Sequence, residues 1–138
     1  MSPEYKSLYD LLGEEGFTRL VSAFYRRVET DPVLRPLYPE KDLSGAERRL
    51  RLFLIQYFGG PTTYSEERGH PRLRMRHAPY AIGERERDAW VRNMLGAMDE
   101  ARILEPAYTT LKDYFEKGAS FVMNATPFGG MLRESQTT

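Results

Sequence analysis

Cysteine is absent from this chain, which excludes disulfide staples, thiolate nucleophiles and thiolate-held metals. Net charge is absent too: twenty basic and twenty acidic side chains cancel. Such a balance gives no electrostatic footprint for nucleic acid, so the local arginine runs need a local explanation. No apolar stretch approaches the length that crosses a bilayer. The N-terminal "MSPEYKSLYDLL" lacks a basic start followed by an apolar run, so no signal peptide is read and a cytoplasmic location is expected. Histidine and tryptophan are scarce, two and one in 138 residues, and chemistry resting on them must fall at His70, His77 or Trp90.

Aromatic residues are plentiful, at 12% of the chain, and hydrophobic residues reach 41%. That favours one compact domain with large rings in its core, here drawn over 1–126 with a frayed tail over 127–138. The periodicity is helical nearly throughout. Val21, Phe24, Tyr25 and Val28 share one helix face, and "TDP" at 30–32 ends that helix. "SGAE" at 44–47 reads as a capping box with Ser44 as N-cap, ahead of a stripe of Leu50, Phe53, Leu54 and Tyr57. "GGP" at 59–61 stops it. Trp90, Met94, Ala97, Met98 and Ala101 form a third stripe. Pro106 opens a last helix with Tyr108, Leu111, Phe115, Ala119 and Val122 inward. No β-alternation appears, so the expected fold is all-α with four substantial helices. Residues 61–83 carry both histidines, several prolines and arginines, and little periodicity; a long irregular segment of this kind is usually functional or disordered.

Most catalytic options fail on residue types. No nucleophile elbow, Gly-rich phosphate loop or H-E-x-x-H pair is present, and His70 and His77 are seven apart across Pro71. A single histidine can still act as an axial ligand to haem iron. That use requires a neutral, oriented imidazole, a large apolar slot, and cations or phenols at the rim for the propionates. Leu50, Phe53, Leu54, Met94 and Met98 could wall a slot, and Arg72, Arg74 and Arg76 flank His77, with Tyr64 and His70 nearby. Composition alone leaves a bland account standing, in which His77 is a surface residue and the Trp–Met stripe is core.

The stretches "FYRRV" (24–28), "LYPEKDLSGAERRLRLFLIQYFGGP" (37–61), "TYSEERGHPRLRMRHAPYAI" (63–82) and "RDAWVRNM" (87–94) resemble the group II truncated haemoglobins, over about residues 7 to 124. The resemblance implies a two-over-two helical sandwich around haem b. It implies His77 as proximal iron ligand, and Tyr25, Tyr38 and Trp90 as distal residues facing a diatomic ligand. Ala46 falls where larger globins carry a distal histidine, with Leu50 the apolar residue one turn on. Arg76 and Tyr64 match propionate partners; His70, Arg72, Met75 and Ile82 join Leu50, Phe53, Leu54 and Met94 as expected cofactor contacts. One departure is the corner between the first two helices, where "GEEG" (13–16) replaces a Gly-Gly pair and the turn is expected at Gly13.

A bound O2 gathers negative charge that aimed donors stabilise without reorganising. With Ala46 offering none, that work falls to Trp90, Tyr38 and Tyr25. Reversible binding of O2, with CO and NO as other ligands, is the first functional reading, as store, carrier or sensor. A nitric oxide dioxygenase or peroxidase-like enzyme fed by an external reductase is the second. A haem-free helical interaction module is the third. A homodimer would be unsurprising.

Overall fold

Ser7 starts the first helix: its hydroxyl oxygen accepts from the Asp10 N–H at 3.1 Å. Helix α1 then spans Leu8–Thr30, broken by non-helical backbone at Gly13. Gly13 has φ 71°, the left-handed region that glycine enters without a Cβ penalty. The corner expected in "GEEG" therefore forms at its first glycine. The chain is described here by a computed structural model covering residues 7–70, 82–121 and 123. After α1 come a 3-10 turn (Arg35–Leu37), α2 (Ser44–Tyr57), the short α3 (Thr63–Arg68), α4 (Glu84–Glu100) and α5 (Ala107–Phe121). No strand occurs among the described residues, and no helix among them is long and apolar enough to cross a membrane. The tail beyond residue 126 lies outside them.

Helix α1 packs against both α2 and α4, while α4 packs against α5. Two helix pairs are thus joined through α1 and α4, the sandwich that the sequence implies. Phe17, Leu20, Val21, Phe24 and Val28 of α1 are fully buried, as are Met94, Ala97 and Met98 of α4 and Leu111 of α5. The helical stripes read in the sequence face the core, with Leu50, Trp90 and Tyr108 half-buried at its edge and Tyr57 exposed at the end of its stripe; Val122 lies outside the described residues.

Two local expectations need correction. Ser44 is not an N-cap; α2 begins there without a side-chain cap bond from Leu43 before it. Asp42 does the work instead, its carboxylate accepting from the Ser44 N–H at 2.8 Å, and these hydrogen bonds lower the acid's pKa. Either acid or hydroxyl can cap, and the carboxylate two residues earlier wins at a position carrying the positive end of the helix dipole. The second correction is α3, which lies in the segment expected to be irregular. It is under two turns long, too short to display a period. Its position is set from outside: Gln56 of α2 accepts from the Ser65 N–H at 2.9 Å and donates to the Ser65 hydroxyl at 2.6 Å.

The "GGP" corner is a docking surface for the start of α1. The Tyr9 N–H donates to the Phe58 carbonyl at 2.9 Å, and Gly60 N–H to Ile55 at 2.7 Å. A Cβ on Gly60 would lie 2.8 Å from the Tyr9 ring and 2.9 Å from the Ile55 carbonyl oxygen. The other seam is polar. Asp31, just past α1, accepts from the N–H groups of Val33 and Leu34 with one oxygen, at 2.8 and 2.9 Å. Its other oxygen takes the Asn93 amide at 2.9 Å and Arg92 at 3.4 Å. Asn93 is itself buried and also donates to the Ala89 carbonyl at 2.8 Å. One carboxylate thus ties the end of α1 to α4 and shapes the turn that follows.

Gly60→Ala should lower stability by about 1–3 kcal/mol, because the methyl group meets backbone that cannot swing aside; chemical denaturation measures it. Desolvation raises the Asp31 pKa, but its hydrogen bonds from Asn93, Leu34 and Val33 and the charge of Arg92 outweigh this, and the net shift is downward. A depressed folded-state pKa adds stability that is present above the unfolded value near 3.9 and is lost as pH falls through the folded one. Asp31→Asn should therefore cost about 1–2 kcal/mol at neutral pH, with the gap to wild type closing below about pH 4 in acid melts.

Candidate functional site

Tyr25 and Trp90 are brought together by the α1–α4 contact, on either side of one phenylalanine. Phe24 sits edge-on to Tyr25 with ring centroids 5.1 Å apart, and its other side meets Trp90 at 5.2 Å. Neighbouring positions on α1 therefore serve different ends: Phe24 fills the joint and Tyr25 turns its hydroxyl toward the loop after the 3-10 turn. That loop delivers Tyr38, edge-on to Tyr25 at 5.6 Å.

The three polar groups then converge. The Tyr25 hydroxyl and the Trp90 indole N–H both lie within hydrogen-bonding reach of the Tyr38 hydroxyl. An indole N–H can only donate, so Trp90 donates to the Tyr38 oxygen. The contact between the two hydroxyls favours the proton on Tyr25 and eases its loss from Tyr38. Burial pushes the Tyr25 hydroxyl well above the usual tyrosine pKa, and neighbouring Tyr38 pushes it further. Burial also raises Tyr38, with the bonds from Tyr25 and Trp90 partly offsetting it. Both phenols stay protonated through the physiological range.

The apolar residues expected at the site belong to the core. Ala46, Phe53, Leu54 and Met94 are buried in the same core cluster as Tyr25, and Leu50 is half-buried against it with Tyr38 and Trp90. Tyr64 is also buried, edge-on to Phe53 at 5.5 Å. Ile82 is buried outside the main cluster, and His70 is exposed. Arg72, Met75, Arg76 and His77 lie outside the described residues.

Three residues not foreseen in the sequence support this arrangement. Arg35 donates to the carbonyls of Tyr38 (2.9 Å), Glu40 (2.8 Å) and Lys41 (3.0 Å), clipping the irregular strip that bears Tyr38. Arg49 of α2 pairs with the Glu40 carboxylate at 3.0 Å, and both charges act on the two tyrosines, the arginine lowering and the carboxylate raising their pKa. Nothing in the local sequence distinguishes these side chains, since an arginine aimed at backbone carbonyls leaves no pattern of residue types. The residues present fit the haem that the sequence resemblance implies. A broad apolar wall suits a flat macrocycle, and donors that stay protonated suit a small ligand gathering negative charge.

Comparison with known proteins bears on the same question. A sequence model of the bacterial-like globin family matches residues 7–124. The haemoglobin of the thermophilic phototrophic bacterium Chloroflexus aurantiacus is 55% identical in sequence, with a TM-score of 0.83 over 87% of this chain and 99% of that one. The structure of a truncated haemoglobin from Bacillus subtilis, described as oxygen-avid, is 39% identical, with a TM-score of 0.83 over 86% of this chain and 100% of that one. The group 2 truncated haemoglobin YjbI of Bacillus subtilis (strain 168) is also 39% identical, over 91% of this chain and 95% of its own length. With an all-helical fold, the matched sequence and these neighbours in agreement, the chain belongs to the bacterial-like globins, among the group 2 truncated haemoglobins.

Proposed function

We propose that this globin holds haem b through His77 and retains O2, with CO and NO as alternative ligands, against a hydrogen-bonding cluster of Trp90, Tyr38 and Tyr25. The observation that carries the reading is the meeting of the Tyr25 hydroxyl and the Trp90 N–H at the Tyr38 hydroxyl, in contact with the apolar core. When bound, haem supplies the iron at which a diatomic ligand attaches. The protein supplies the rest. Leu50, Phe53, Leu54, Met94 and Ile82 offer apolar surface to the macrocycle; Arg76 and Tyr64, with His70 and Arg72, serve the propionate rim. Ala46 leaves the distal side without an imidazole, so retention depends on the phenols and the indole.

The phenols and the indole also decide between holding a ligand and transforming it. None of the three titrates near neutral pH, so none can pass a proton back and forth as an efficient general acid–base pair does. This favours binding and retention over peroxidase turnover, while nitric oxide dioxygenase turnover would need an external reductase. The oxygen-avid character of the Bacillus subtilis relative agrees with this reading.

A donor worth about 1–1.5 kcal/mol slows release roughly tenfold. Trp90→Phe should therefore speed O2 dissociation by about tenfold in stopped-flow measurements, since it removes the indole N–H from the cluster. An unchanged off-rate would assign retention to Tyr25 and Tyr38 alone. His77→Ala should lose stable haem binding, and a variant with wild-type haem affinity and Soret spectrum would overturn the proximal assignment.

A further inference from the structure

Two runs of neighbouring rings leave the site and meet on one exposed phenol. From Trp90 the ring of Phe115 is 5.6 Å away; from Phe115 that of Tyr114 is 5.6 Å; from Tyr114 that of Tyr57 is 4.5 Å, all between centroids. From the wall expected to face the macrocycle the route is shorter, since Phe53 lies 6.0 Å from Tyr57 directly. Tyr57 is 56% exposed, although its spacing on α2 continues the core stripe. The ring packs on Phe53, Phe58 and Tyr114, yet more than half of the residue's surface stays in water. It is well placed to exchange electrons with both runs.

We propose that Tyr57 is the outlet of an aromatic relay that carries oxidising equivalents from the haem site to the protein surface. The inference rests on the haem reading above. A protein that holds O2 at iron meets hydroperoxides as by-products, and a hydroperoxide is the oxidant here. Breaking its O–O bond takes up two electrons and two protons from the surroundings and yields an alcohol, or water, plus water. Tyr57 gives one of those electrons, and haem, when bound, would supply the other. Tyr57 releases its hydroxyl proton to bulk water and becomes a neutral phenoxyl radical. Phe53, or Phe115 with Tyr114, carries the electron inward.

The relay ends at Tyr57 for a chemical reason. Phenylalanine is not oxidised under these conditions, so Phe53 and Phe115 only bridge. Burial, then the neighbouring Tyr57, pushes the Tyr114 hydroxyl pKa upward, so Tyr114 resists the proton loss that would trap a radical there. Tyr57 faces water, which takes the proton at once. Two such radicals on different molecules would couple through ring carbons into dityrosine, with no further oxidant.

The test mixes ferric holoprotein, its Soret band verified, with hydrogen peroxide and no added reductant. Freeze-quench EPR should show a tyrosyl radical, and gels should show dityrosine-fluorescent dimers whose cross-link maps to Tyr57. Tyr57→Phe should keep the Soret spectrum yet lose that radical signal and the dimers, and its haem should bleach faster. An intact Soret band with no tyrosyl signal in wild type, or with signal and dimers unchanged in Tyr57→Phe, overturns the relay alone. Absence of any Soret band after haem addition overturns the haem reading and the relay with it.

Discussion

The contact of α1 with α4 is the constraint on which the rest of the molecule depends. It is the most extensive contact between two helices among the described residues, and in it Phe24 touches both Tyr25 and Trp90. Fully burying an aromatic side chain is worth about 1.5–3 kcal/mol, so Phe24 anchors the joint. The same packing fixes the separation of the two donors beside it. The site is thus a by-product of how the core closes, and the donors need no separate scaffold.

Polar seams then set the parts that packing alone leaves free. Asp31 locks the end of α1 to Asn93 and Arg92 and shapes the turn that leads to Arg35. Arg35 in turn gathers three carbonyls of the strip carrying Tyr38. Asp31 lies largely inside the structure, where hydrogen bonds to a charged group are strong and costly to leave unmade. From the end of α1 to the pocket there is a continuous chain of such bonds, and Tyr38 is its last member.

Much of this was legible in the sequence, and for a physical reason: a helix advertises its buried face through spacing. Val21, Phe24, Tyr25 and Val28 lie where their period puts them, as do Met94, Ala97 and Met98. The turn at Gly13 was legible because left-handed backbone is cheap for glycine. Features that turn on a competition between neighbours were not. Ser44 and Asp42 are both good caps, and only three-dimensional geometry chose Asp42. Helix α3 is held by Gln56 from another element, which no local window contains. The roles of Tyr25, Tyr38 and Trp90 came from resemblance, since spacing cannot tell a core tyrosine from a donor aimed at a ligand. Their mutual reach at one hydroxyl is what the fold adds.

The Arg35 clip has a thermodynamic consequence. The strip that bears Tyr38 has one 3-10 hydrogen bond at its start, from the Tyr38 N–H to the Arg35 carbonyl, and beyond it the chain, left to itself, would sample many shapes, each residue costing about 1–2 kcal/mol to fix. One guanidinium does for it what a turn of helix would otherwise do. The conformational entropy of ordering Tyr38 is therefore lost when the chain folds, not when a ligand arrives. A gas molecule of two atoms has almost no surface with which to order a loop, so a pocket for it must already be rigid.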